Sequence, residues 1–286
     1  VQTCALPISK MYFILLLSSL ALTEAYPTPV ISCTCGSNND SSRIVNGAFA
    51  KPGEIPWQVA LEKLCPVLGW DAYCGGAIIS SRYVLTAKHC VSYLDASSVR
   101  VIVGVIKLTS PYTPLEVNRI ITYPVDPNDP WDHDISILEL KRTLTFSDMV
   151  YPICLPPWDL SETFAGRIMT ISGWGQIGVQ EVFPNELFKG TQLGLSQSDC
   201  LKYYKPEELT SGMLCAYNQT VHPCTGDSGG PMTYKARSTF FLAGLVSWGD
   251  HCDEIMRPTI FTRVTAYVRW IHDNTGNNIC TRPFNP

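Results

Sequence analysis

The hexapeptide Gly226-Asp227-Ser228-Gly229-Gly230-Pro231 sets a hydroxyl among residues that leave the backbone open. A serine hydroxyl is unreactive at its free pKa. To act as a nucleophile it needs a base for its proton and donors for the oxyanion that forms. The glycines let the chain bend so that the N–H groups of Gly226 and Ser228 face that charge, and they keep bulk away from a substrate. Alone, such a stretch is a Gly-rich turn between strands. Two other residues argue for more: His89, in Leu85-Thr86-Ala87-Lys88-His89-Cys90, and Asp134, at the head of the alternating run Asp134-Ile135-Ser136-Ile137-Leu138-Glu139-Leu140. Singly, the histidine reads as structural and the aspartate as a turn residue. Together they supply a base, an orienting carboxylate and a nucleophile.

The chain order His, Asp, Ser is that of the serine triad in the two-barrel proteases. Forty-five residues separate His89 from Asp134, and 94 separate Asp134 from Ser228. Three more motifs agree: Arg43-Ile44-Val45-Asn46-Gly47, Ser172-Gly173-Trp174-Gly175, and Val246-Ser247-Trp248-Gly249. On these residues the chain resembles the trypsin-like (chymotrypsin-family) serine proteases from Ile44 to about Asn274. The resemblance implies an all-β fold of two antiparallel six-stranded β-barrels, with the active site between them and a C-terminal helix.

The elements that must position these residues are legible as short β-branched and aromatic runs between turn signals. Trp57–Leu61, Val99–Val103, Arg167–Ile171 and Phe240–Val246 are examples, and they predict an all-β chain. Alone, this pattern does not separate a sandwich from barrels; the resemblance decides for barrels. Near the end, Val264, Tyr267, Val268 and Ile271 mark one apolar stripe of a helix, with Thr265 as its cap.

The 286 residues carry a net charge of −4, which speaks against a polyanion-binding surface and hence against nucleic acid. Twelve cysteines indicate an oxidising compartment. An apolar run beginning at Met11-Tyr12-Phe13-Ile14 ends in small residues and predicts a signal peptide over 11–25. It is too short for a membrane span. Residues 1–10 read as an untranslated or adapter-derived extension, or as an n-region containing Lys10. Residues 26–43, rich in Pro, Ser, Asn and Gly, read as a propeptide, and 44–286 as the protease domain. The expectation is a secreted protein with no membrane partner.

The resemblance also pairs Cys74 with Cys90, Cys200 with Cys215, and Cys224 with Cys252. Cys154 would tether the propeptide through Cys33 or Cys35. With Cys4 set aside as part of the extension, Cys65, Cys280 and the other propeptide cysteine are left over, one of them free or intermolecular. A further pair common in the family is absent, its positions taken by Met169 and Tyr234.

By the same resemblance, Ser228 attacks, His89 is the base and then the acid, and Asp134 holds the imidazole. Gly226 and Ser228 N–H groups form the oxyanion hole, and Ser247 supports Asp134. Asp227 would pair with the ammonium of Ile44 freed by cleavage after Arg43, ordering the pocket. Trypsin-type members bind Arg or Lys through an aspartate six residues before the nucleophile; here that residue is His222. Gly249 keeps one glycine of the pocket wall, while Thr259 replaces the other. The pocket residues His222, Ser247, Gly249 and Thr259 thus point to small or medium uncharged side chains. Protonated His222 would instead favour an acidic residue, and Asp250 or Asp253 would restore basic preference if their loop folds over the pocket. Lys88, in place of a small residue, either adds charge beside His89 or points to solvent.

No cofactor or metal is expected: Val105–Pro114, where calcium-binding members carry acidic residues, has none. Two sequons, at Asn39 and Asn218, predict glycosylation. Expected partners are protein or peptide substrates, an activating trypsin-like protease and protein inhibitors. The rival reading is an inactive homologue serving as a binding or cofactor protein.

Overall fold

The computed structural model describes residues 34–38, 47–67, 69–124, 132–158, 160, 162–177, 182–249, 257–276 and 278–284, all within the unit Cys33–Pro286. The expected extension, signal peptide, Asn39, the Arg43-Ile44 junction, Asp250, Cys252 and Asp253 lie outside the described residues.

A two-residue strand, β1 (Ala48–Phe49), leads into six strands: β2 (Gln58–Cys65), β3 (Gly69–Ile78), β4 (Tyr83–Thr86), β5 (Val99–Val103), β6 (Leu115–Thr122) and β7 (Ser136–Leu140). They close antiparallel in the order β2-β3-β4-β7-β6-β5, with Val59↔Val103 to Lys63↔Val99 sealing β5 against β2. Six more follow: β8 (Ile168–Gly173), β9 (Phe188–Gly194), β10 (Met213–Tyr217), β11 (Pro231–Ala236), β12 (Thr239–Trp248) and β13 (Thr259–Arg263). Their ring runs β8-β9-β10-β13-β12-β11 and closes through Met232↔Ile171, while β1 adds to β9. These are the two expected barrels. Closure removes the unpaired edges that strands rich in Val and Ile would otherwise expose.

The core follows the apolar runs. Val59, Leu61, Ile78, Leu85, Val101 and Leu138 are fully buried in one cluster, and Met169, Phe261 and Met232 belong to another. Tyr234 packs against the Met169 cluster, so the positions of the absent disulfide are filled by apolar contact. Hydrogen bonds cross between the barrels. Ser172 Oγ of β8 donates to Gln58 Oε1 of β2 at 2.6 Å, and Thr262 Oγ1 of β13 donates to the Asp134 carbonyl at 2.6 Å.

A short helix α1 (Gln197–Cys200) is capped by Ser196, whose hydroxyl accepts from the Asp199 N–H. The C-terminal helix α2 (Val268–Thr275) ends at Gly276 in the left-handed conformation. Its apolar stripe is as expected, with Val264, Tyr267, Val268 and Ile271 all buried. Its start is not. Thr265 sits, buried with Val264, inside a 3-10 turn, Val264–Ala266, and Tyr267 occupies the cap position without a side-chain bond. Packing of the turn against the core, rather than a hydroxyl cap, begins this helix.

The N-terminal segment is part of the fold. Cys35 is bonded to Cys154, which chooses between the two expected partners. Gly36 N–H donates to the Pro152 carbonyl, and the Gly36 carbonyl accepts from Phe240 N–H, both at 2.9 Å. Asn38 Nδ2 donates to the Glu54 carbonyl at 2.7 Å. A chain cut after Arg43 should therefore keep its N-terminal piece. On a non-reducing gel the cut protein runs as one band, and reduction releases the fragment. Because Cys280 is also in a disulfide, it is the Cys154→Ser/Cys280→Ser variant that should release it without reductant, and a retained fragment in that variant would assign the tether elsewhere.

Candidate active site

His89 lies in a 3-10 turn, Lys88–Cys90, directly after β4, and Asp134 lies just before β7, which pairs with β4. Antiparallel pairing of Thr86 with Ser136 therefore brings the two residues to the same end of the first barrel. His89 Nδ1 lies 2.8 Å from Asp134 Oδ2, and the His89 backbone N–H donates to Asp134 Oδ1 at 2.9 Å. The imidazole is thus gripped at ring and backbone by a single carboxylate. Ser247 Oγ in β12 donates to Asp134 Oδ2 at 2.6 Å, which brings that residue to the site as expected.

Asp134 is 2% exposed. Burial pushes its carboxyl up, but the bonds from His89 and Ser247 outweigh this and hold it below the ordinary carboxylate range. At neutral pH the group is an anion aimed at Nδ1. That fixes the tautomer with Nδ1–H and makes Nε2 the ring nitrogen that carries the basic lone pair.

Ser228 sits in the loop before β11, on the second barrel. Its carbonyl accepts from Gly75 N–H at 2.7 Å. Gly75 follows Cys74, whose disulfide to Cys90 reaches the His89 turn. Nucleophile loop and histidine turn are in this way anchored to the same point of β3. Gly226 has φ 95°, a left-handed conformation that a side chain would resist. Among the described residues, neither Gly226 N–H nor Ser228 N–H donates within the protein, so both are available to an external anion.

Asp227 turns away from Ser228 into a cavity of ≈ 190 Å³ whose lining includes Ser172, Gly175, Lys189, Val221 and His222. Its Oδ1 accepts from Gly175 N–H at 2.8 Å and its Oδ2 from Cys224 N–H at 3.0 Å. A Cβ on Gly175 would run into this carboxylate, which explains the second glycine of Ser172-Gly173-Trp174-Gly175. Removal from bulk water pushes the Asp227 carboxyl up to about 6, against the pull of the two N–H groups. Among the described residues no cation pairs with it. Lys189, in the same cavity lining, is committed to a buried ion pair with Glu54.

The expected pocket residues divide. Gly249 and Thr259 face each other, and a Cβ on Gly249 would lie 3.5 Å from Thr259 Cγ2. His222 instead lines the cavity of Asp227, whose lining includes neither of them. Cys200 and Cys215 are bonded as expected, Cys224 and Cys280 are also in disulfides, and Cys65 is a free thiol. The half-buried Asn218 uses its amide: Nδ2 donates to the Thr191 carbonyl at 2.8 Å, and Oδ1 accepts from Thr220 and Val221. Lys88 does not point to solvent; it is 4% exposed, with Nζ donating to the Asp132 carbonyl at 3.0 Å.

Thr262 and Gly175 were not singled out from the sequence. Thr262 is an ordinary strand threonine until β13 is placed behind Asp134. Gly175 had a signal in its motif, but the need for it appears only with Asp227 against it.

A sequence model of the family described as Trypsin matches residues 44–271. The chain is 36% identical over 271 residues to a tryptase of Mus musculus, covering 90% of this chain and 97% of that protein. It is 38% identical over 259 residues to transmembrane protease serine 9 of Rattus norvegicus, and 34% over 244 residues to vitamin K-dependent protein C of the same species. Those matches cover 86% and 82% of this chain, but only 24% and 52% of the two relatives, so the chain spans a quarter to a half of their length. No helix among the described residues is long and apolar enough to cross a membrane. With two closed barrels, a carboxylate–imidazole pair and a serine loop anchored at their junction, the chain belongs to the trypsin family of serine proteases.

Proposed function

We propose that the protein is a secreted endopeptidase that hydrolyses peptide bonds through an acyl-enzyme on Ser228. It is made as a zymogen and activated by cleavage after Arg43. The observation that carries this reading is the His89–Asp134 pair, 2.8 Å apart and buried at the carboxylate, joined through Cys90–Cys74 and Gly75 to the Ser228 loop.

Ser228 Oγ attacks the scissile carbonyl as His89 Nε2 takes its proton. Asp134 stabilises the imidazolium without itself being protonated. Gly226 and Ser228 N–H groups hold the oxyanion in the tetrahedral intermediate. Collapse expels the amine, which takes the proton back from His89. Water then repeats the sequence on the ester and releases the acid. Freed Ile44 supplies the ammonium that Asp227 lacks.

At the cleaved position the enzyme takes small or medium uncharged side chains. Thr259 stands against the Gly249 wall, and His222 brings no anion to compensate a guanidinium. The enzyme then cannot cut its own Arg43-Ile44 bond and needs a trypsin-like activator. Residues 11–25 and the disulfides support export, and the exposed cleft of the family supports protein inhibitors as partners. A glycan at Asn39 fits the polar segment around it. One at Asn218 would need to share an amide that already bonds Thr191.

The test is to incubate the purified uncut chain with and without trypsin, then assay peptides that differ only in the residue before the scissile bond. Activity should appear only after trypsin treatment and prefer uncharged residues by at least ~100-fold over Arg, the scale of one unpaired buried charge. Concentration-dependent self-cleavage after Arg43, lost in Ser228→Ala, would overturn both the activator and the pocket reading.

A further inference from the structure

Lys88 is an unusual neighbour for a catalytic imidazole: a cation in the turn that carries His89, almost wholly withdrawn from water. A buried ammonium needs acceptors to replace its hydration, and the acceptor this fold supplies is informative. It is the carbonyl of Asp132, 3.0 Å from Nζ and two residues before Asp134. Lys88 works from a fixed base, since its own carbonyl accepts from Ser92 N–H at 2.9 Å and Ser92 Oγ at 2.7 Å.

The segment it holds is strained. His133, between Asp132 and Asp134, has φ 56°, a left-handed conformation that a residue with a Cβ resists and that persists where the surroundings fix it. Contacts from several elements provide part of that fixing. Thr210 Oγ1 donates to Asp132 Oδ1 at 2.6 Å. His133 Nδ1 lies 3.0 Å from the Tyr267 hydroxyl, and its ring stacks on Tyr123 with centroids 4.6 Å apart. Within the turn, Asp132 Oδ1 accepts from His133 N–H at 2.9 Å, and His133 Nε2 lies 3.2 Å from Oδ2. Against these contacts Lys88 is the tie from the histidine's own turn.

We propose that Lys88 is a positioning residue for Asp134. By holding the Asp132 carbonyl, it sets where the strained turn delivers the carboxylate against His89. Its ammonium touches neither substrate nor the reacting atoms. The proposal rests on the reading of His89, Asp134 and Ser228 as the triad.

The experiment uses the cut enzyme and an uncharged peptide substrate. Lys88→Met keeps the apolar stem and removes the donor. The expected result is a fall in kcat of about tenfold with KM unchanged, short of the ~100-fold that an ångström's misplacement costs. The rate of labelling by a fluorophosphonate should fall in parallel. Parental kcat, or a change confined to KM, overturns the proposal. If Lys88→Met does not fold, Thr210→Val removes the opposing tie on Asp132 and is expected to lower kcat in the same way; parental kcat there overturns it equally. Failure of the triad reading itself is separate, because the parent enzyme would then not be labelled at Ser228.

Discussion

In the cut protein, Ser228→Ala lowers kcat by about a millionfold, the scale on which a triad fails when its nucleophile is removed. The fold is retained, since the contact that Ser228 makes with Gly75 is through its carbonyl. Some catalysis survives, about 10³–10⁴ above the uncatalysed rate, because the Gly226 and residue-228 N–H groups still meet the oxyanion. Turnover of a peptide ester, with a denaturant midpoint measured beside it, checks both halves. A variant with parental turnover would place the nucleophile elsewhere; one that fails to fold would give the hydroxyl a structural role that the geometry does not.

Asp227→Asn should leave cleavage after Arg43 intact and lower the activity that cleavage produces by about 100-fold. The magnitude follows from the carboxyl, pushed up to about 6 by removal from water. That is about two pH units above an ordinary aspartate and no more than ~3 kcal/mol of unfavourable ionisation at neutral pH. In the proposed activation the Ile44 ammonium is the charge that would relieve it, and a neutral amide has nothing to relieve. The uncut chain carries the same signature. For a carboxyl whose folded pKa is raised, the stabilising contribution of the protonated form is fully present below the unfolded value and is lost as pH rises through the folded one. Uncut Ser228→Ala should therefore lose stability relative to uncut Ser228→Ala/Asp227→Asn between about pH 4 and 6, with the difference constant above that. Denaturant midpoints from pH 4 to 7 decide it, and parallel curves would mean that Asp227 is not strained in the uncut chain.

The candidate triad was legible because its three residues sit in local sequence whose chemistry is short-range: Gly-flanked Ser228, His89 beside Cys90, and Asp134 opening an alternating strand. The barrels were legible in part, as strands; closure came from resemblance, since period-2 patterns read alike in a sandwich and a barrel. What escaped depended on long-range packing. Cys33 and Cys35 are two residues apart, and only the seating of Gly36 between Pro152 and Phe240 selects Cys35 for Cys154. Thr265 has a capping side chain, yet burial of the Val264 turn moves the helix start past it. Lys88 reads either as charge beside His89 or as a solvent-facing residue until its Nζ is placed on the Asp132 carbonyl. His222 occupies a pocket position in the chain but faces the Asp227 cavity, a direction that no local pattern encodes.

The central claim is that Ser228 is a nucleophile brought into use by cleavage after Arg43. A fluorophosphonate added to the protein before and after trypsin treatment, with the adduct located by peptide mapping, reads both parts at once. The account predicts a single adduct on Ser228, formed at least ~100-fold faster in the cut protein, the factor set by ~3 kcal/mol. A cut protein that remains unlabelled, or labels with equal speed before cleavage, or carries the adduct on another residue, would contradict it.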